Sequence, residues 1–91
     1  MFVGKVIGSI VSTRKNDNLV GHKFMVVEPL EGLGDPNAKI VAVDNIGAGI
    51  GEIVLVATGS AARIGCGLEA SPIDAAIVGI VDDGIGITGV N

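Results

Sequence analysis

The sequence predicts an all-β fold, a small five-stranded OB-like β-barrel with one short helical turn. Three observations support this prediction. Short apolar runs rich in valine and isoleucine alternate with turn residues along the 91-residue chain. Gly4 and Gly8 lie inside the first run, where glycine often marks a sharp bend in a small barrel. A single short helical stretch precedes the last run. We therefore expect one domain that spans residues 1–91.

The apolar runs give the strands in order. Four strands are predicted at residues 2–13, 23–30, 38–46 and 52–58. The polar segment after the first run contains Asn16-Asp17-Asn18, a strong turn signal, and Pro29 ends the second. The last run could be a short helix over residues 73–81. A strand over 76–81 is preferred, because Ile77 to Val81 is rich in β-branched residues.

A glycine turn joins the third and fourth predicted strands. Gly47, Gly49 and Gly51 follow one another at every second position and are followed by Glu52. Close glycine spacing between two strands implies a positive φ or a tight approach to a neighbour. A nucleotide-binding loop is disfavoured, because a strand rather than a helix follows.

The predicted helical turn follows the fourth strand. Gly59 and Ser60 break the strand, Ser60 is expected to cap the turn Ala61-Ala62-Arg63, and Gly65 ends it. Arg63 is either half of an ion pair between subunits or a solvated charge, and the residues alone leave both possibilities open. Asp74, which follows Pro72-Ile73, could cap a short turn or pair with Arg63.

Composition argues against several functions. The net charge is −4, and the chain has no tryptophan or tyrosine, whereas nucleic-acid binding favours a basic face and stacking rings. No window approaches the roughly 18 apolar residues that a membrane helix needs. The single cysteine, Cys66, cannot form an internal disulfide. We expect a soluble protein in the reducing cytoplasm.

Catalytic and metal-binding patterns are also missing from the sequence. His22 and Cys66 are the only histidine and cysteine, and they match no metal-ligand spacing or nucleophile–base pair. Four aspartates, the acids nearest strands, could in principle do acid–base work; they are Asp44, Asp74, Asp82 and Asp83. The string Gly84-x-Gly86-x-x-Gly89 resembles a dinucleotide fingerprint, but only two residues follow it. We expect no catalytic residue, no metal and no cofactor.

The apolar content predicts self-association. Hydrophobic residues make up 48% of the chain, and charged residues 18%. A domain of this size buries only about 60–65% of the surface that its unfolded chain exposes, so a lone copy is marginal. Burial shared between identical subunits would use the surplus apolar surface.

Several segments, taken together and in order, resemble one family. They are Val3-Gly4-Lys5-Val6, Thr13-Arg14-Lys15, Val41-Ala42-Val43-Asp44, Gly47-Ala48-Gly49-Ile50-Gly51-Glu52, Gly59-Ser60-Ala61-Ala62-Arg63 and Pro72 to Asp82. They are similar to the vertex proteins of bacterial microcompartments, of the EutN/CcmL type. The resemblance covers nearly the whole chain.

The resemblance implies a barrel that assembles as a cyclic homopentamer and caps the vertices of a carboxysome-like polyhedral shell, with hexameric shell proteins as partners. The residues expected to serve structure or the subunit interface are Gly47, Gly49, Gly51, Glu52, Gly59, Ser60, Arg63 and Asp74. Two other functions are considered: an OB-type module that binds a ligand or nucleic acid, and a small enzyme.

Overall fold

In the computed structural model, the described residues form five strands and one short helix. The structure describes residues 1–11, 17–19, 21–33, 35, 37–65, 73–82 and 86–89, with the backbone alone at residues 18 and 63–65. The elements are β1 (Phe2–Ile10), β2 (Lys23–Pro29), β3 (Ile40–Asp44), β4 (Ile53–Thr58), α1 (Ser60–Gly65) and β5 (Ala75–Val81), with a 3₁₀ turn at Asp17–Leu19.

The strands close into a barrel in the order β1-β2-β3-β5-β4. Neighbouring strands are antiparallel except β3 and β5, which run parallel and pair only through Val43 with Ala76 and Asp44 with Ile77. The predicted five-stranded barrel with a short helix is confirmed. Residues 76–81 form part of a strand, as preferred over the helical alternative.

Strand β1 contains a bulge beside its pairing with β2. Val6 pairs with Val27 and Gly8 with Val26, so Ile7 is the extra residue and its side chain is exposed. A bulge bends a strand and increases its twist, which helps a short sheet to close. On its other edge, β1 bonds through Val6 with Gly51 and Glu52, which directly precede β4.

Buried side chains form two clusters. The first fills the barrel and contains Val6, Met25, Val27, Ala42, Ala48, Val54, Val56, Ala75 and Ile77. The second includes Ala62 of α1 together with Val43, Ala57, Ile73 and Ala76. Alanines dominate the second cluster, so α1 packs closely against β4 and β5.

The third strand is shorter than predicted at both ends. The Ala38 amide donates to the Asp35 carbonyl at 3.0 Å, so a turn occupies the predicted strand start. At the other end, the Asp44 carboxylate accepts the amides of Ile46 and Gly47, which takes the chain out of the sheet after Asp44. Strand β1 ends at Ile10, earlier than the predicted Thr13.

In the described part of the chain, no helix has the length and apolar character needed to cross a bilayer.

Candidate functional site

Residues 45–52, here called the glycine loop, connect β3 to β4 and close one end of the barrel. Ala48, only 1% exposed, inserts into the cluster that fills the barrel. Gly47 and Gly51 have φ values of +87° and +94°, as the glycine spacing predicted. Gly49 has no positive φ, but a Cβ there would lie 3.3 Å from Glu52 Oε1. Both predicted reasons for glycine therefore occur within one loop.

Glu52 stabilises the end of the glycine loop. Its Oε1 accepts the Gly49 amide at 2.6 Å, and its own amide donates to the Gly49 carbonyl at 3.1 Å. The Gly51 amide donates to the Val6 carbonyl at 2.8 Å, and the Val6 amide donates to the Glu52 carbonyl at 2.9 Å. The loop is thus bonded to β1 beside the bulge, and its pairing continues the β1–β4 ladder.

Asp44 stabilises the start of the glycine loop, which the sequence reasoning missed. Its Oδ1 accepts the amide of Ile46 at 3.0 Å and that of Gly47 at 3.1 Å. Part of the signal was in the sequence: Asp44 ends an apolar run three residues before Gly47, and an aspartate there can close a turn with its side chain, although its burial cannot be read from the sequence. Lys23 Nζ lies 3.7 Å from Asp44 Oδ2 across the β2–β3 pair.

The second group of candidates surrounds the start of α1. Gly59 has a φ of +65°, and its amide donates to the Asp74 carbonyl at 2.7 Å. The Ala62 amide bonds to the Gly59 carbonyl at 3.1 Å. Ser60 is exposed and is the first residue of α1, so Gly59 occupies the capping position that was predicted for Ser60. The helix ends at Gly65 as predicted.

A contact with Arg63 was one of two possibilities predicted for Asp74, the other being the cap of a short turn. Asp74 lies directly before β5 with an exposed side chain. Arg63 belongs to α1, but its side chain lies outside the described part of the chain, as do Cys66 and Gly84. Whether the Arg63 guanidinium contacts the Asp74 carboxylate stays a prediction.

The candidates form two groups at opposite ends of β4, and each group contributes two residues to a groove. One groove of about 440 Å³ is lined by Gly51, Glu52, Ile53, Ile80, Val81 and Asp82. A second, of about 490 Å³, is lined by Ile40, Val41, Thr58, Gly59, Asp74 and Ala75. The structure therefore brings the glycine-loop candidates together, and brings Gly59 and Asp74 together, but separates the two groups.

The polar groups near the glycine loop bond to backbone and to one another. His22 Nδ1 lies 3.0 Å from Asn45 Oδ1, within hydrogen-bond distance. Among the described residues, no three of histidine, cysteine, aspartate and glutamate gather into a group that could hold a metal ion. The arrangement is suited to holding a loop in one conformation.

The fold and the site define a class of protein, a small OB-like barrel. The described carboxylates near its glycine loop bond to the loop backbone, and several of its large apolar side chains are exposed. The comparison with protein families is more specific. Residues 1–82 match the family described as "Ethanolamine utilisation protein EutN/carboxysome". The chain belongs to this EutN/CcmL family.

Similar proteins in this family are named for shell vertices. The microcompartment shell vertex protein GrpN of Rhodospirillum rubrum (strain F11) is 54% identical, over 90% of this chain and 93% of that protein. The carboxysome shell vertex protein CcmL of Gloeobacter violaceus is 42% identical, over 90% of this chain and 83% of that protein. The shell vertex protein EutN of Escherichia coli (strain K12) is 43% identical, over 91% of this chain and 88% of that protein.

Solved structures agree with the sequence comparison. The structure described as the GrpN pentameric microcompartment shell protein from Rhodospirillum rubrum has a TM-score of 0.79 at 53% identity, covering 90% of this chain and 94% of that chain. The Gloeobacter violaceus CcmL structure has a TM-score of 0.81 at 41% identity, covering 90% and 86%. The predicted family, and the predicted class of structural shell vertex protein, are confirmed.

Proposed function

We propose that this chain forms homopentamers that cap the vertices of a bacterial microcompartment shell. The observation that carries the proposal is the similarity to GrpN, a shell vertex protein by name and a pentameric shell protein by structure, over nine-tenths of both chains. We also propose that residues 1–91 act as one domain and that the protein works by shape, without a catalytic group.

Exposed apolar side chains support assembly. Val41, Ile46, Ile50 and Ile80 all expose a large part of their side chains. A 91-residue domain gains much from covering such surface, because a small barrel buries a limited share of its own. A cyclic ring uses head-to-tail contacts, so each subunit presents two different edges. The two separate grooves are consistent with that requirement.

The proposed partners are other shell proteins, because a closed shell needs both flat and curved regions. A flat layer of six-fold tiles cannot close into a polyhedron, and five-fold units supply the missing curvature. Hexameric shell proteins are therefore the proposed neighbours, and the shell in the cytoplasm is the proposed location. The net charge of −4 gives no reason to expect nucleic-acid binding, and a gel shift at low salt would test that.

Native mass spectrometry tests the ring directly. The expected species has a mass of about 46 kDa, five times the 9.1 kDa chain. A stable monomer at micromolar concentration would contradict the proposal.

A deletion strain tests the vertex role. Loss of this protein should leave facet proteins and enclosed enzymes intact but produce open, elongated or leaky shells, because only the points of curvature lose their cap. Enzyme turnover in lysate should be unchanged. Normal closed polyhedra in electron micrographs, with no second vertex protein present, would refute the role; re-expression of the chain is the control.

The candidate residues at the subunit edges remain part of the proposal. Gly47, Gly49, Gly51 and Glu52 shape one surface, whereas Gly59, Ser60, Arg63 and Asp74 belong to the other group. Arg63→Ala should make the ring dissociate at higher protein concentration while the barrel's melting temperature changes little. The matched control is Lys5→Ala, which removes an exposed positive charge from β1. Equal dissociation of both variants would identify Arg63 as a solvated charge.

A further inference from the structure

We propose that Asp44, with Lys23 as its counter-ion, positions the glycine loop for subunit contact. This inference rests on the proposed function, because it assigns a cause to the shape of one proposed subunit edge. Asp44 acts through the backbone of the loop that follows it.

The first step is the burial of the Asp44 carboxylate. Its side chain is 0% exposed, and Oδ1 accepts two backbone amides, those of Ile46 and Gly47. Such charge-assisted bonds are stronger than bonds between neutral groups. They hold the chain in the turn that leads to the positive φ at Gly47.

The second step concerns the other oxygen. Oδ2 is buried, and in the described part of the chain it has no hydrogen-bond partner. Lys23 Nζ, at 3.7 Å, is the cation paired with it. A buried carboxylate without a counter-ion is costly. Because the Lys23 side chain is 60% exposed, its flexible stem can adjust to Asp44 at little cost, so Lys23 makes the buried charge tolerable.

The third step is the rigidity of the rest of the loop. Ala48 is packed in the barrel, Glu52 accepts the Gly49 amide, and the Gly51 amide bonds to Val6. The segment between Asp44 and Glu52 is therefore fixed at both ends and in its middle. Two apolar side chains still face outward, Ile46 at 46% exposed and Ile50 at 66%.

A rigid loop with outward apolar side chains is preorganised for association. Ordering a flexible loop during binding costs free energy, and a loop ordered beforehand avoids that cost. Asp44 is the residue that sets the loop's direction where it leaves β3. Loosening Asp44 should therefore weaken the ring even though the barrel core is untouched.

Hydrogen exchange measured by NMR tests the positioning. In Asp44→Ala, the Ile46 and Gly47 amides should exchange at least about tenfold faster, because they lose a charged acceptor. Lys23→Met should produce a smaller increase at the same amides, and Lys23→Arg should behave like the parent. The Val54 amide in β4 is the internal reference, since Val54 is fully buried.

Ring dissociation on dilution tests the consequence. Native mass spectrometry should rank the variants from the weakest ring to the strongest as Asp44→Ala, Lys23→Met, then Lys23→Arg with the parent. If Asp44→Ala fails to fold, the comparison of Lys23→Met with Lys23→Arg is the test. Unchanged exchange at Ile46 and Gly47 in the folded variants would overturn the positioning role. Faster exchange with unchanged ring stability would overturn the link to assembly.

The parent chain separates this inference from the proposed function. A parent that shows no ring refutes the pentamer, and the exchange experiment then reports on the loop alone. If the parent forms a ring, and substitutions at Asp44 and Lys23 leave the stability of that ring unchanged, only the inference is refuted.

Discussion

Strand β1 and the glycine loop both depend on glycine, but for different physical reasons. At Gly4, a Cβ would lie 2.6 Å from Val27 Cγ1 and 2.8 Å from the Glu28 carbonyl oxygen. At Gly51, a Cβ would meet nothing within 4 Å, but the backbone has a φ of +94°. Gly4 is required by space, and Gly51 by backbone conformation.

The two glycines affect different parts of the molecule. Gly4 lets β1 approach β2 closely, so the barrel can close around a small core. Gly51 lets the loop turn so that its amide reaches the Val6 carbonyl. A substitution at Gly4 should therefore affect folding, whereas one at Gly51 should affect the loop and the assembly that depends on it.

The largest expected effect is that of Gly4→Ala. The added methyl would contact backbone, which cannot move aside like the end of a flexible side chain. We expect a loss of about 3 kcal/mol in the free energy of unfolding, the upper end for overpacked cores. Chemical denaturation at fixed protein concentration measures it, because ring formation makes apparent stability concentration-dependent. A loss below about 0.5 kcal/mol would show that β1 and β2 adjust freely.

Sequence reasoning located the strands because strand signals are local. The fourth strand was predicted at 52–58 and is found at Ile53–Thr58. The partners of each strand are not local information, so the parallel pairing of β3 with β5 could not be read from the apolar runs. The resemblance to a family supplied the assembly, which no single-chain pattern could specify.

The next effect in size is that of Gly51→Ala. A non-glycine residue at this φ costs about 1–2 kcal/mol. We expect the ring to dissociate at a higher protein concentration and the Gly51 amide's partner, the Val6 carbonyl, to be less well bonded. Gly51→Asn is the control, since asparagine tolerates positive φ better than alanine. Equal losses for both variants would mean that the side chain, rather than the backbone angle, disturbs the loop.

The site was predicted only in part. The three glycines stood out because glycine spacing reports on backbone freedom. Asp44 did not, because an aspartate in a sequence gives no sign of whether it is buried. Its role appears only once β2 places Lys23 beside it and the loop folds its amides onto Oδ1. The burial of Ala48 inside the barrel was hidden for the same reason.

A smaller effect is expected for Gly49→Val. Gly49 lacks a positive φ, and its Cβ would be 3.3 Å from Glu52 Oε1, which a flexible side chain can accommodate at some cost. We expect a loss of about 1 kcal/mol, more than a typical surface change, because the branched side chain also crowds the Gly49–Glu52 hydrogen bond. Melting temperature and oligomer size together measure it. If neither changes, the loop accepts a side chain at its centre.

The smallest effect is expected for Gly8→Ala, which completes the comparison within β1. Gly8 lies in the same strand as Gly4, but its Cβ would meet only Val26 at 4.0 Å, an ordinary van der Waals distance. Its φ is not positive, so alanine fits the native backbone. Alanine also reduces the freedom of the unfolded chain, which should leave stability unchanged or raise it by about 0.5 kcal/mol. The same denaturation experiment that measures Gly4→Ala measures this variant. A loss as large as that at Gly4 would mean that β1 does not tolerate a side chain at either glycine. The close contacts at Gly4 would then not explain its sensitivity.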